Sequence, residues 1–82
     1  MDKAEYQRAK AYMTELRPKV ATSKAVRRQL LRDLCKHLER KADAYLLIRE
    51  SSLPTLMNYA ISYKAFGGLT VAQEVIARKI LS

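Results

Sequence analysis

The sequence predicts an all-α fold, a compact bundle of four to five short helices forming one domain over residues 1–82. Three observations carry that prediction. Glycine and proline occur only twice each, too rarely for a β-fold built on tight turns. Alanine, leucine, lysine, arginine and glutamate dominate, all strong helix formers. Residues 24–40 also separate into two faces at helical spacing. Lys24, Arg28, Arg32, Lys36 and Arg40 recur every four positions, while Val26, Leu30, Leu31, Leu34 and Leu38 take the opposite side. At 100° per residue the basic set covers roughly 160° and the aliphatic set roughly 140°, with almost no overlap.

Taken in order, the first helix is expected over residues 3–17. Asp2 and Glu5 form a capping pair at its start, and Tyr6, Ala9, Met13 and Leu16 make its inner face. Pro18 is expected to end it or to follow soon after its end. Thr22 or Ser23 caps the second helix, residues 24–40. Residues 42–50 read as a short buried helix around Tyr45, Leu46, Leu47 and Ile48, because no partner strand exists elsewhere. Ser51 and Ser52 offer the next cap, and Pro54 sits in the first turn of a helix carrying Leu53, Leu56, Met57, Ala60, Ile61 and Phe66. Gly67-Gly68 stops that helix with a left-handed residue. Thr70 and Gln73 form a T-x-x-Q capping box for the last helix, whose inner side is expected to be Val71, Val75, Ile76 and Ile80.

Charge is concentrated. Nine of the sixteen basic residues lie between positions 17 and 41, opposed only by Asp33 and Glu39, in a chain of formal net charge +8. Like charges at i, i+4 destabilise a helix by tenths of a kcal/mol each, so a one-sign stripe points to an acidic partner rather than to stability. The hydrophobic share of 49% fits a folded domain. No apolar run approaches the ~18 residues of a membrane span, and the charged start Met1-Asp2-Lys3-Ala4-Glu5 lacks a signal-peptide apolar stretch. Cys35 is the only cysteine; an internal disulfide is impossible and a reducing, nuclear or cytoplasmic setting is expected.

Little in the chain suggests catalysis. Cys35 and the only histidine, His37, are two positions apart on one helix. They point about 200° apart and cannot share a metal or act as a dyad. One histidine supports no Ser/His/acid set, and Gly67-Gly68 lacks phosphate-loop spacing. Asp33 and Glu39 are expected to pair with basic neighbours on their own helix. Tyr59 and Tyr63, four apart with Lys64 beside them, make either an exposed aromatic ledge or packed rings with wet hydroxyls. No catalytic, cofactor or metal site and no small-molecule substrate is expected.

From Arg28 onward the pattern resembles the N-terminal (LW) domain of transcription elongation factor S-II, relatives of which occur in elongin A, a Mediator subunit and chromatin-associated adaptors. The similarity lies in Leu30-Leu31-x-x-Leu34-x-x-x-Leu38, in Leu47-Ile48-Arg49-Glu50-Ser51-Ser52, in Leu53-Pro54 with Met57-Asn58, and in residues 71–79. Pro54 stands where that family has glycine. The chain has no tryptophan, so Ile80 would take the packing place of the family's own. The resemblance implies a small right-handed helical bundle that docks short disordered segments, an aromatic or aliphatic anchor flanked by acidic residues, between its helices.

The expected function is therefore a non-catalytic interaction module for acidic, hydrophobic segments of partner proteins in transcription or chromatin machinery. Its expected contact residues are Lys24, Arg28, Arg32, Lys36, Arg40, Met57, Ile61, Tyr63 and Lys64, with an exposed apolar groove around Met57, Ile61 and Tyr63. The alternatives are a bundle that contacts DNA or RNA phosphates through its second helix, and a small subunit or chaperone of a larger assembly. Membrane-surface binding is disfavoured, because the apolar face of the basic helix has no interfacial aromatic residues.

Overall fold

A computed structural model describes residues 2–39 and 52–81. They form four helices, α1 (Lys3–Thr22), α2 (Lys24–His37), α3 (Leu53–Phe66) and α4 (Val71–Leu81), with no strand among the described residues. The fold is an all-α bundle, and α3 is its hub, packed against each of the other three helices. Leu34, Leu38 and Leu56 are fully enclosed at the centre, surrounded by Leu16, Leu30, Leu31, Met57, Ala60, Ile61 and Ala77. The helix expected at residues 42–50, and the cap expected from Ser51, lie outside the described residues.

Helix α1 starts as its sequence indicates, with the Glu5 amide donating to the Asp2 carboxylate at 2.8 Å. It does not stop at Pro18. The helix runs one further turn to Thr22 with the proline inside it. Pro18 and Thr14 both face solvent, so the Thr14 carbonyl that the proline cannot serve is open to water. The apolar spacing of Ala9, Met13 and Leu16 continues to Val20, which packs against the core, and this contact rewards the extra turn. Three bonds close it. The Ser23 amide donates to the Lys19 carbonyl at 2.8 Å, the Thr22 hydroxyl to the Pro18 carbonyl at 2.9 Å, and the Arg27 guanidinium to the Val20 carbonyl at 2.7 Å. Tyr6, expected inside, is instead 46% exposed.

Ser23 alone links α1 to α2. Its amide ends one helix, and its hydroxyl accepts from the Val26 amide at 3.3 Å to begin the next. Leu30, Leu31, Leu34, Cys35 and Leu38 are buried, as the amphipathic pattern requires, and Val26 is half-buried. Helix α2 ends two to three residues earlier than expected: Leu38 is its C-cap, and Glu39 follows at a left-handed φ of 58°.

Helix α3 begins at Leu53 with Pro54 in its first turn, but the Ser52 side chain makes no capping bond. Gly67 closes the helix at φ 76°, donating its amide to the Tyr63 carbonyl at 2.8 Å. The capping box of α4 forms in both directions, each bond at 3.1 Å between Thr70 and Gln73.

The rotation of α4 departs from expectation. Val71, Val75 and Ile76 are 81%, 59% and 44% exposed, whereas Ala77 is fully enclosed. Arg78 explains the choice of face. Its guanidinium donates to the Leu38 carbonyl at 2.9 Å and to the Glu74 carboxylate at 3.0 Å. That carbonyl belongs to the end of α2, where helical acceptors lack partners and a cation is favoured by the dipole. Holding Arg78 there turns Ala77, Ile80 and Leu81 toward the bundle and Val71, Val75 and Ile76 away from it.

Candidate partner-binding surface

Lys24, Arg28, Arg32 and Lys36 are all exposed on α2. Steps of four residues at 1.5 Å place them about 6 Å apart along the axis. Among the described residues none of the four is held by an ion pair. Ser23 caps the start of this helix, and burial of Leu30, Leu34 and Leu38 fixes which side the cations face. Arg27 belongs to the same basic cluster by sequence but is committed to the end of α1. Asp33, expected to pair with a cation, accepts instead from the Gln29 side-chain amide at 3.0 Å. Arg40 lies outside the described residues.

The groove expected beside this stripe needs correction. Met57 and Ile61 are 7% and 3% exposed and belong to the core. Their spacing along α3 matches an inner stripe with Leu56 and Ala60, and apolar side chains at such positions give up most when wet. Neither is available to a partner in this fold.

Described residues line two clefts open to the surface, of about 490 and 560 Å³. The first lies between the C-terminal turns of α2 and α3 and is lined by Asp33, Lys36, His37, Tyr63, Lys64 and Gly67. Its floor is a ring pair: His37 and Tyr63 have centroids 4.5 Å apart at 31°. Tyr63 is half-buried and His37 exposed, so the tyrosine packs rather than standing free as a ledge. The basic stripe runs into this cleft through Lys36, and Lys64 faces it from α3.

The second cleft lies where α1, α3 and the start of α4 meet, and it is not among the sites expected from the sequence. Tyr6, Phe66 and Leu69 supply its apolar lining, with Ser62, Gly68, Thr70 and Gln73 around them. The Tyr6 and Phe66 rings are 5.8 Å apart at 44°. The Lys10 ammonium stands 5.4 Å from the centre of the Tyr6 ring, within cation–π range. A signal for it was present in the sequence: Tyr6 and Lys10 are four apart on one helix, and Phe66 precedes the glycine turn.

Cys35 is enclosed, and burial pushes its thiol up from the ordinary value of 9.0. It is a core side chain, and His37 points away from it to Tyr63. Among the described residues no group of three or more His, Cys, Asp and Glu side chains could hold a metal ion. No helix among them is long and apolar enough to cross a membrane. Comparison of the chain with protein-family models, with curated proteins and with solved structures finds no match in any of the three.

Proposed function

We infer that this protein is a non-catalytic interaction module for acidic segments of partner proteins, with α2 as its docking face. The observation carrying this reading is the line Lys24, Arg28, Arg32 and Lys36, without ion pairs among the described residues and continuous with the cleft that holds Tyr63 and Lys64. Exposed one-sign charge of this density steers an acidic chain to the surface and speeds its association. The resemblance to the LW domain supports the same kind of ligand and suggests a setting in transcription or chromatin, in the nucleus. A peptide fits better than a nucleic acid for a chemical reason. The stripe has no asparagine, and Gln29, its nearest amide, is already bonded to Asp33, leaving only its arginines and lysines, which read guanine alone among base edges.

The test titrates fluorescent acidic-aliphatic peptides, duplex DNA and single-stranded RNA at 50 and 200 mM salt against wild type and an R28E/R32E/K36E variant. Peptide binding that survives at the higher salt and weakens at least tenfold in the variant supports the reading. Tighter binding of an oligonucleotide at the higher salt overturns it, as does failure of every peptide to bind.

A further inference from the structure

The two clefts both draw on the last turn of α3 and the glycines that follow it. Tyr63, Lys64 and Gly67 line the first and Ser62, Phe66 and Gly68 the second. On α3 the helical members of the two sets take neighbouring sides of the last turn, Tyr63 and Lys64 pointing about 60–160° away from Ser62 and Phe66. Gly67 of the first cleft and Gly68 of the second are adjacent in the chain at the end of α3, and their Cα atoms stand about 3.8 Å apart. Neither glycine has a side chain to obstruct the crossing, and the space where a Cβ would project is open at both.

We propose that Gly67-Gly68 is the saddle of one continuous groove, in which a partner segment sets its carboxylates on Lys36 and Lys64 and its aliphatic or aromatic anchor against Tyr6, Phe66 and Leu69. This rests on the acidic-segment reading and moves its anchor from the buried Met57 and Ile61 to the α1/α3/α4 cleft. Charge complementarity selects the occupant. The first cleft carries two exposed ammonium groups against one carboxylate, Asp33, which is occupied by Gln29. The second is apolar at its base, and Lys10 adds a cation beside its aromatic pair. Thr70 and Gln73 bond to each other, so that rim holds its shape without the ligand. A second copy of this chain is a poor occupant, because each copy carries a formal +8 and like charge opposes association.

The geometry sets the ligand's spacing. A helix with its side chains is about 10 Å across, and an extended chain rises about 3.3 Å per residue. Acid and anchor should therefore be separated by about three residues.

Gly68 provides the critical variant, because its φ is not left-handed and a Cβ added there meets nothing within 4 Å. The experiment measures anisotropy of a labelled peptide with three glutamates, a three-residue spacer and a Leu-Phe anchor, together with amide shift mapping of wild type. G68W and K36E/K64E proteins are compared, each checked for fold by circular dichroism. Peptides with the anchor changed to Ser-Ser, or with the spacer removed, give a second readout that needs no protein variant. At least tenfold weakening by G68W, by the lost anchor and by the lost spacer, with shifts at Gly67, Gly68 and Leu69, is expected. If the peptide binds with shifts confined to the α2 stripe and is indifferent to G68W and to the anchor, the groove is overturned while the acidic-segment reading stands. If no acidic peptide binds at all, both fall. Should G68W lose its fold, the anchor and spacer peptides decide the question alone.

Discussion

Ser23 does the work of a loop with one residue. Its amide and its hydroxyl each satisfy a helix end, and the chain between α1 and α2 has only the dihedrals of this residue to turn with. Replacing it by alanine removes the N-cap acceptor, and the expected loss is about 1 kcal/mol in urea unfolding; S23D should recover most of it. Cys35 makes a different statement. Burial raises its thiol pKa above the unfolded value, so the unfolded chain ionises first as pH climbs. The contribution of this group to stability is intact below the unfolded pKa and is lost as pH rises toward the folded one. The urea midpoint should fall between pH 8 and pH 10, and fall less in C35A. An equal fall in both would assign the alkaline loss to other groups.

At the scale of the helix, the sequence was most readable where a structure is decided within four residues. Asp2 with Glu5, Ser23 with Val26, the left-handed Gly67 and the Thr70–Gln73 box all form as local chemistry dictates. Pro18 shows the limit of a local rule: one missing bond at a wet position costs less than the packing gained by Val20. Helix α4 shows a deeper limit. The inner side was expected to run through Val71, Val75, Ile76 and Ile80; of these only Ile80 packs against the core, beside Ala77 and Leu81. Periodicity ranks the bulkier side chains as the inner ones. The choice was made instead by Arg78 and a carbonyl on another helix, a contact no window along the chain contains. The same blindness misassigned Met57 and Ile61, which the pattern placed on α3 but could not place inside or outside. The basic stripe of α2 was legible, because charge at i, i+4 has no buried alternative.

For the molecule as a whole, charge has opposite effects on folding and on binding. A formal +8 on 82 residues repels itself, and the stripe adds like charges in adjacent turns. Salt screens both over a Debye length of about 8–10 Å. Raising NaCl from 20 to 300 mM should therefore raise the melting temperature of the free protein while weakening the proposed binding of an acidic peptide. R28E/R32E should melt no lower than wild type at low salt and should lose most of that salt dependence. A variant that instead melts several degrees lower would mean that the stripe is held by contacts within the fold.

The bond from Arg78 to Leu38 also bears on the order of events in time. It joins residues 40 apart, whereas the Ser23 corner assembles from neighbours. Closing a short loop takes tens of nanoseconds, and long-range contacts come at a larger entropic cost. The α1–α2 corner can thus organise early and the seat of α4 late. An R78M chain should refold at nearly the wild-type rate but unfold faster, because an interaction absent from the transition state acts on the unfolding limb. A stopped-flow chevron with an unchanged folding arm and a raised unfolding arm is the expected record, and a slowed folding arm would place α4 in the nucleus.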